Sequence, residues 1–237
     1  SFSSATLDIS AKDLFLDECL VIFIPQHLET LYNEISPAGR FDLDFKKFRI
    51  LTADGGQKSF DFAGDIAFKD CTFKFADAET ELDAKLKIKG LYNTDQGLSN
   101  CQAAVDGGTL RIQGKSFTNL KADILYDPDL RRWSTEDIIA DYYGGKTIGK
   151  FELKQPAGKA SEYLLQVVFD NIDLQQFLSD KKDKDIAENR YTSGKMDGSL
   201  SINAHLGDSS SRLGVCRLTM TDMQFGKLSP LGKLVQV

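Results

Sequence analysis

Residues 140–153 (ADYYGGKTIGKFEL) contain the spacing that most resembles a nucleotide-binding loop, because Gly145-Lys146-Thr147 follows Ala140 after four residues. In such a loop, backbone N–H groups cradle phosphates, the lysine reaches them and the threonine hydroxyl holds Mg²⁺. The pattern also requires a helix after the threonine, but residues 148–154 alternate between apolar and polar, which is typical of a strand. We therefore predict a tight turn at Gly144-Gly145 between two strands, and no nucleotide partner.

Other residue types that carry chemistry are few or scattered. The two histidines, His27 and His205, lie in no metal-binding or hydrolase motif. Carboxylate pairs, as in FDLDF and STEDI, are of the type that glycosidases use. However, a chain with 35 acidic residues contains such pairs by chance on strand surfaces and in loops. We predict that the protein is not an enzyme and has no catalytic residue, metal site or cofactor.

Four widely separated cysteines, Cys19, Cys71, Cys101 and Cys216, form no C-x-x-C motif. Buried thiols are the favoured interpretation, and one or two disulfides in an oxidising compartment are the alternative.

The net charge and the hydropathy of the chain limit the classes of partner that it could bind. The net charge of −6 over 237 residues argues against nucleic acid. The sequence shows neither a signal peptide nor an apolar run of about 18 residues. It opens in mid-pattern at Ser1-Phe2 and stops inside the apolar-spaced segment PLGKLVQV, so we expect a piece of a longer protein.

Alternation of apolar and polar residues dominates the chain and predicts an antiparallel β architecture with turns at Gly-Gly, Asp-Pro-Asp and Ser-rich segments. The alternating runs are 41–50, 60–75, 82–90, 108–114, 119–127, 149–155, 198–207 and 214–225.

Two helices are predicted within this pattern. One covers residues 26–36, with Leu28, Leu31, Tyr32 and Ile35 on a single face. The other covers residues 174–190 behind Asp173 as N-cap, and its apolar content fades into charge.

A weak repeat links FKDCTF (68–73), FDNIDL (169–174) and MTDMQF (220–225). Its Asp or Asn interrupts the alternation and predicts a bulge or turn that redirects each strand.

The strand EYLLQVVFDNI is apolar on both faces, with Leu164 and Val168 on the second. Either a helix covers that face, or the sheet curls so that its concave side is apolar too.

The segment IIADYYGGKTIGKFELKQP…SEYLLQVVFDNIDLQQFL resembles the C-terminal region of the AsmA-like family, in which Gly-Gly joins two strands and an Asn/Asp turn precedes a short helix. GKMDGSLSINAHLG…RLGVCRLTMTDMQFGKLSPLGKL is similar to the family's next module, with a Leu-x-Pro-Leu-x-x-Leu segment at Leu228–Leu234. The resemblance covers most of the chain from about Pro37 and is strongest over residues 137–234. One departure is Gly214-Val215-Cys216, which has a single glycine where the family has several.

The resemblance implies a single β-rich fragment over residues 1–237. Upstream strands with a helix at 26–36 occupy about 1–127, and AsmA-like C-terminal modules occupy 128–237. The implied fold is mainly β: an elongated, curved, groove-like antiparallel sheet with one or two short helices. The implied location is the periplasm of a Gram-negative-type bacterium, with an inner-membrane anchor outside this fragment.

The function that the resemblance implies is binding or conduction of phospholipid or another acyl-chain lipid in outer-membrane assembly or lipid homeostasis. An apolar groove can hold an acyl chain without specific polar contacts, at about 0.8 kcal/mol per buried CH₂. The candidate groove residues are Leu110, Ile112, Leu165, Val167, Leu200, Ile202, Leu218 and Met220.

Each of these side chains would equally suit an ordinary closed core. The alternative function is therefore a closed β-sandwich that acts as a scaffold or protein-interaction domain of the cell envelope. A carbohydrate-active domain has only Trp133 in its favour, and that residue is better explained as the anchor of the hairpin after Asp127.

Overall fold

The computed structural model of the protein describes residues 3–17, 26–53, 56–75, 78–156, 158–179 and 193–224. In these residues, eleven strands form one antiparallel sheet in which every strand pairs with its neighbours in sequence. The strands are β1 Ser3–Leu16, β2 Ala38–Thr52, β3 Lys58–Phe75, β4 Ala78–Asn93, β5 Gly97–Ile112, β6 Lys115–Asp127, β7 Arg132–Tyr142, β8 Gly145–Lys154, β9 Glu162–Asp173, β10 Ser193–His205 and β11 Leu213–Gln224. Helix α1 (Gln26–Ile35) lies between β1 and β2, and helix α2 (Leu174–Ser179) between β9 and β10.

The predicted fold class is confirmed: the protein is mainly β, with one open antiparallel sheet and two short helices. The described strands form neither two packed sheets nor a closed barrel. The described strands therefore do not form the closed β-sandwich that the alternative function assumed, and the scaffold or interaction role itself stays a prediction.

The predicted tight turn between two strands is confirmed, but it lies one residue earlier, at Tyr143-Gly144, and Gly145 is already paired with Tyr142 as the first residue of β8. Tyr143 and Gly144 both have positive φ, at 43° and 75°, as a two-residue turn between twisted strands requires. Residues from Gly145 onward continue as β8, where a phosphate-binding loop would need a helix.

Both helices begin where the sequence predicts. Helix α1 ends one residue before the predicted position. The carboxylate of Asp173 accepts a hydrogen bond from the backbone N–H of Gln176 at 3.0 Å, which caps α2. Helix α2 is described as far as Ser179, and the rest of the predicted helix falls on residues 180–192, outside the described part.

The predicted bulges are confirmed at all three repeats. Asp70, Asn171 and Asp222 have φ of 48°, 56° and 52°, the left-handed conformation that Asp and Asn tolerate better than most residues. At each site two residues of the bulged strand face one residue of a neighbouring strand, so the register shifts.

Two of these bulges face a glycine that no other residue could replace without strain. Gly39, opposite Asp70, has φ of 126°, and a Cβ there would lie 2.6 Å from the Cα of Cys71. Gly194, opposite Asp222, has φ of 150°, and a Cβ would lie 2.9 Å from the carbonyl oxygen of Thr221. The Asx bulge and its glycine therefore form a recurring device that bends the strands.

Strand twist brings α1 to distant strands. The helix lies between β1 and β2, near one edge of the sheet. Its residues Leu31 and Ile35 nevertheless pack against β8–β10, near the other edge, at the strand ends that lie away from the end of β1. Neighbouring strands rotate by roughly 20–25°, so the eight steps from β2 to β10 accumulate to roughly 160–200°. The sheet therefore turns far enough for α1 to bridge its first and last thirds.

Candidate functional site

One side of the sheet, called here the apolar face, carries an uninterrupted row of apolar residues from edge to edge. Residues directly paired across strands share a face, so the row can be followed through the register of all eleven strands. Its members are Ala11, Leu43, Ile66, Leu86, Val105, Ala122, Ile138, Gly149, Val167, Leu200 and Cys216.

The apolar face is largely uncovered in the described part of the chain. Among the described strands, extensive contacts join sheet neighbours only, and none of these strands forms a second sheet on either side. Small residues such as Ala84 and Ala140 are buried beneath larger neighbours, whereas most of the large side chains on this face are half-buried. At the two edges, Leu7 and Leu218 are 46% and 53% exposed.

Over β2–β4 the apolar face is aromatic. Phe45 lies 5.8 Å from Phe62, and Phe60 lies 5.9 Å from Phe48 and 6.1 Å from Tyr92, measured between ring centroids. On β3, Phe60 and Phe62 flank Asp61 and therefore point to one side. On β2, Phe45 and Phe48 are three residues apart, and the register shift between Phe45 and Lys47 returns Phe48 to that same side.

Helix α1 covers one end of the apolar face. Leu31 and Ile35 pack on a cluster at the ends of β8–β10. The cluster consists of Leu153, Tyr163, Ala204 and Leu206, with Trp133, Phe151 and Ile202 at its border.

This packing makes the charged form of the Glu34 side chain, on α1, less favourable. Burial raises the pKa of its carboxyl group, and a hydrogen bond with the side chain of Ser161 partly opposes that rise. The other carboxylate oxygen, Oε2, is buried without a hydrogen-bond partner. Docking of α1 therefore disfavours the charged form of Glu34.

Helix α2 covers the other end through aromatic contacts. The ring centroid of Phe177 lies 5.7 Å from that of Tyr143 and 6.2 Å from that of Tyr142. Phe177 also lies next to the buried side chains of Ile172 and Met196. The Lys115 ammonium donates to the carbonyl oxygen of Phe177 at 2.7 Å and lies 4.5 Å from the centroid of its ring. This lysine therefore ties the start of β6 to α2.

The opposite side of the sheet, the charged face, carries ion pairs from β2 to β8. Pairs with N–O distances of 2.6–2.9 Å are Lys69–Asp42, Arg49–Asp61, Lys85–Asp65, Arg111–Glu81, Lys121–Asp106 and Lys150–Glu136. Hydrogen bonds from Lys69 and Lys150 lower the carboxyl pKa of Asp42 and Glu136, respectively.

The charged face also holds a shallow depression of about 690 Å³ across β2–β6. Asp44, Asp65, Lys87 and Asp123 line it together with Lys46 and Lys89. Acid and base alternate there and pair with one another, as in Lys46–Asp44 at 2.8 Å. The depression therefore presents no field of one sign that would select a charged ligand.

All eight candidate groove residues lie on the apolar face. Leu110, Ile112, Leu165, Val167, Leu200 and Ile202 are half-buried, and Leu218 and Met220 are about half exposed at the β11 edge. Sequence reasoning missed the aromatic part of the face on β2 and β3, although alternation at Phe41–Phe48 and Phe60–Phe68 signalled it.

The second face of β9 has neither of the predicted arrangements. Val168 is 54% exposed, and its cross-strand neighbour Ile148 is equally exposed. Together with Ile139, which pairs with Ile148, they form a small apolar patch on the charged face that no described helix covers.

The remaining candidates for chemistry are dispersed. Cys71 and Cys101 are buried free thiols, and burial raises the pKa of Cys101 to about 11. Cys216 is free and exposed on β11, and Cys19 lies outside the described residues. Of the two histidines, His205 has its Nδ1 4.0 Å from Oε1 of Glu162, and the side chain of His27 is outside the described part.

Trp133 anchors its hairpin as predicted, with its ring 4.7 Å from that of Tyr126 and its Nε1 donating to Gln155 Oε1 at 3.2 Å. Among the described residues, no group of three His, Cys, Asp or Glu could hold a metal ion. Neither described helix has the length and apolar content needed to cross a membrane.

Comparison of the chain with protein-family models, with curated proteins and with solved structures gives no significant match.

Proposed function

We propose that the apolar face binds the acyl chains of lipids and that the protein holds or conducts lipid without catalysis. The observation that carries this proposal is the unbroken apolar row over eleven strands, against which no second layer packs within the described ranges of the chain. A soluble monomer rarely exposes a continuous apolar patch of more than a few hundred Å², and larger patches mark binding surfaces.

The dimensions of the row suit this ligand. Ten spacings of about 4.8 Å between eleven strands give a path of roughly 48 Å along the sheet surface. One acyl chain spans about half of a hydrocarbon core that is about 30 Å thick. The row is therefore about three acyl-chain lengths long, which suits successive positions of a lipid along the face.

The binding free energy should come mainly from burial of the acyl chain and not from contacts with a specific headgroup. Each fully buried CH₂ contributes about 0.8 kcal/mol, and an open face recovers only part of this because one side of the chain stays in water. Half-buried side chains, such as Val167 and Ile202, already bury part of their own surface and gain the rest when a chain covers them. Affinity should therefore rise with acyl-chain length.

The resemblance to AsmA-like proteins supports the same function. It extends the proposal to phospholipid as ligand, to the periplasm as location and to an inner-membrane anchor as partner. The charged face fits such a setting, since its ion pairs keep the rear of the sheet in water while the apolar face holds the chain.

The test is mass spectrometry of organic extracts from the purified folded protein, together with titration of a fluorescent fatty acid. We expect near-stoichiometric phospholipid or a related acyl lipid, and saturable uptake of the probe. The double substitution Val167→Asp/Ile202→Asp should weaken uptake at least tenfold, and the milder Val167→Thr/Ile202→Thr serves if the aspartates unfold the protein.

The matched control is Gln166→Asp/Asn203→Asp, which places the same charges at the same diagonal spacing, one residue away on the opposite face of the same strands. Binding should survive in this control, with circular dichroism showing that every variant is folded. A lipid-free extract with no probe uptake, or equal loss in the control, would contradict the proposal.

A further inference from the structure

The two edges of the sheet differ in how they are protected against further strands. Edge β1 loses register with β2 twice, between Leu7 and Ile9 and between Ala11 and Leu14. The residues at these irregularities are Asp8, Lys12 and Asp13. Bulges and charges of this kind are the usual protection of an edge strand against pairing.

Edge β11 lacks this protection. Its pairing with β10 is regular from Leu213 to Thr221, and Arg217 is the single charged side chain in that stretch. Apolar residues are exposed on both of its sides: Leu213 (76%) and Val215 (65%) on the charged face, and Leu218 (53%) and Met220 (48%) on the apolar face. A long, regular apolar edge of this type is a template for an added strand.

The structure sets three requirements for the strand that adds to β11. It must run antiparallel, as all described neighbours do. It must place apolar residues opposite Cys216, Leu218 and Met220. It must also avoid a positive charge opposite Arg217.

A second copy of β11 meets these requirements through symmetry. A two-fold axis perpendicular to the sheet makes identical strands antiparallel and keeps each face on its own side. If the axis passes at Leu218, Cys216 faces Met220 of the second copy and Arg217 faces Thr219 of the second copy. An axis at Cys216 keeps the same faces together and places Arg217 opposite Val215, but it sets Leu218 opposite Gly214 and Met220 opposite Arg212. The axis at Leu218 is therefore the one that meets all three requirements.

We propose that β11 is a self-association edge, at which two copies of the chain pair antiparallel through β11 and join their apolar faces into one continuous surface. The regular stretch of nine residues provides about 30 Å of edge, which is short for an obligate interface. The dimer should accordingly be reversible and dependent on protein concentration.

The test is sedimentation velocity of the purified protein over a wide range of concentrations. The expected result is a monomer–dimer equilibrium whose dissociation constant rises at least tenfold in Val215→Lys/Thr219→Lys. With the axis at Leu218, the lysine introduced at position 219 faces Arg217 of the second copy. With the axis at Cys216, the lysine at position 215 does so.

The matched control is Thr6→Lys/Ser10→Lys, which adds the same charges to exposed positions of the protected edge β1 and should leave the dimer intact. A protein that stays monomeric at all concentrations would overturn the proposal, as would a dimer that responds equally to both variants. Slow exchange in a monomer of those β11 amides that point away from β10 would also overturn it, since another segment of the chain would then hold the edge.

A cross-linking measurement keeps the proposal testable if the lysines unfold the protein. Copper–phenanthroline oxidation should join two copies through Cys216 when the axis passes there, or through a cysteine in Cys216→Ser/Leu218→Cys when it passes at Leu218. Both chains carry Cys19→Ser, and Cys71 and Cys101 are buried. A dimer that cross-links in neither chain would contradict pairing through β11.

Discussion

The two faces of this sheet are separated by one residue along each strand, yet they are organised by different interactions. On the charged face, acidic and basic side chains pair in the plane of the sheet, as in Lys85–Asp65 at 2.9 Å. On the apolar face, cross-strand neighbours such as Ile66 and Leu86 meet through their hydrocarbon surfaces, and no part of the chain that the structure describes forms an opposing layer there.

This difference places both the main side-chain contribution to stability and the ligand-binding surface on the apolar face. Exposed ion pairs contribute little net stability because they are hydrated and screened. The apolar face must therefore provide most of the side-chain contribution to folding, while keeping enough exposed surface for a ligand.

The largest effect should come from moving a charge onto the apolar face. Val105 is 8% exposed and packs with Ala84, Leu120 and Ala140. We expect Val105→Asp to lower the free energy of unfolding by about 3–5 kcal/mol, because the carboxylate would be buried without a partner. Chemical denaturation followed by circular dichroism measures this loss.

The control is Ala104→Asp, one residue earlier on the charged face, between Lys87 and Asp123. It should change the free energy of unfolding by no more than about 0.5 kcal/mol. Equal destabilisation by both aspartates would show that the two faces are buried alike and would remove the distinction drawn above.

Much of this arrangement was predictable from the sequence, because the period of two places Leu165 and Val167 on one side whatever their partners are. The bulges at Asp70, Asn171 and Asp222 were also predictable, since each interrupts the alternation. Asn119 has the same positive φ, but no similar motif surrounds it.

The contact between α1 and β8–β10 could not be predicted from the sequence. It depends on twist accumulated over many strands, which no local pattern encodes. The exposure of the apolar face was also undetermined, because alternation is the same in an open sheet and in a closed sandwich.

A smaller effect should appear where α1 covers the apolar face. Burial raises the folded-state pKa of Glu34 above its ordinary value of 4.5, so this group favours folding most below that value. Its contribution falls as the pH rises from the ordinary pKa through the raised one, because the folded state then holds an unfavourable charge. Glu34→Gln should thus raise the melting temperature by a few degrees near neutral pH, and by less at a pH below 4.5.

Melting curves of both proteins at the two pH values measure this difference. The control is Asn33→Ala, an exposed neighbour in α1 whose effect should be the same at both pH values. A gain from Glu34→Gln that does not change with pH would mean that the carboxyl group is not buried, and hence that α1 is not docked on β8–β10.

The smallest effect is expected for the ion pair between Lys85 and Asp65, whose side chains are 59% and 33% exposed. A double-mutant cycle with Lys85→Ala and Asp65→Ala should give a coupling energy below about 1 kcal/mol, and about 1 M salt should reduce it further. Leu86→Ala, on the apolar face next to Lys85, should by contrast cost about 2 kcal/mol, near the low end for buried leucines because Leu86 is only half-buried. A salt-resistant coupling energy larger than the cost of Leu86→Ala would reverse the comparison. The charged face would then provide most of the stability of the sheet, and the apolar face would be needed for ligand binding only.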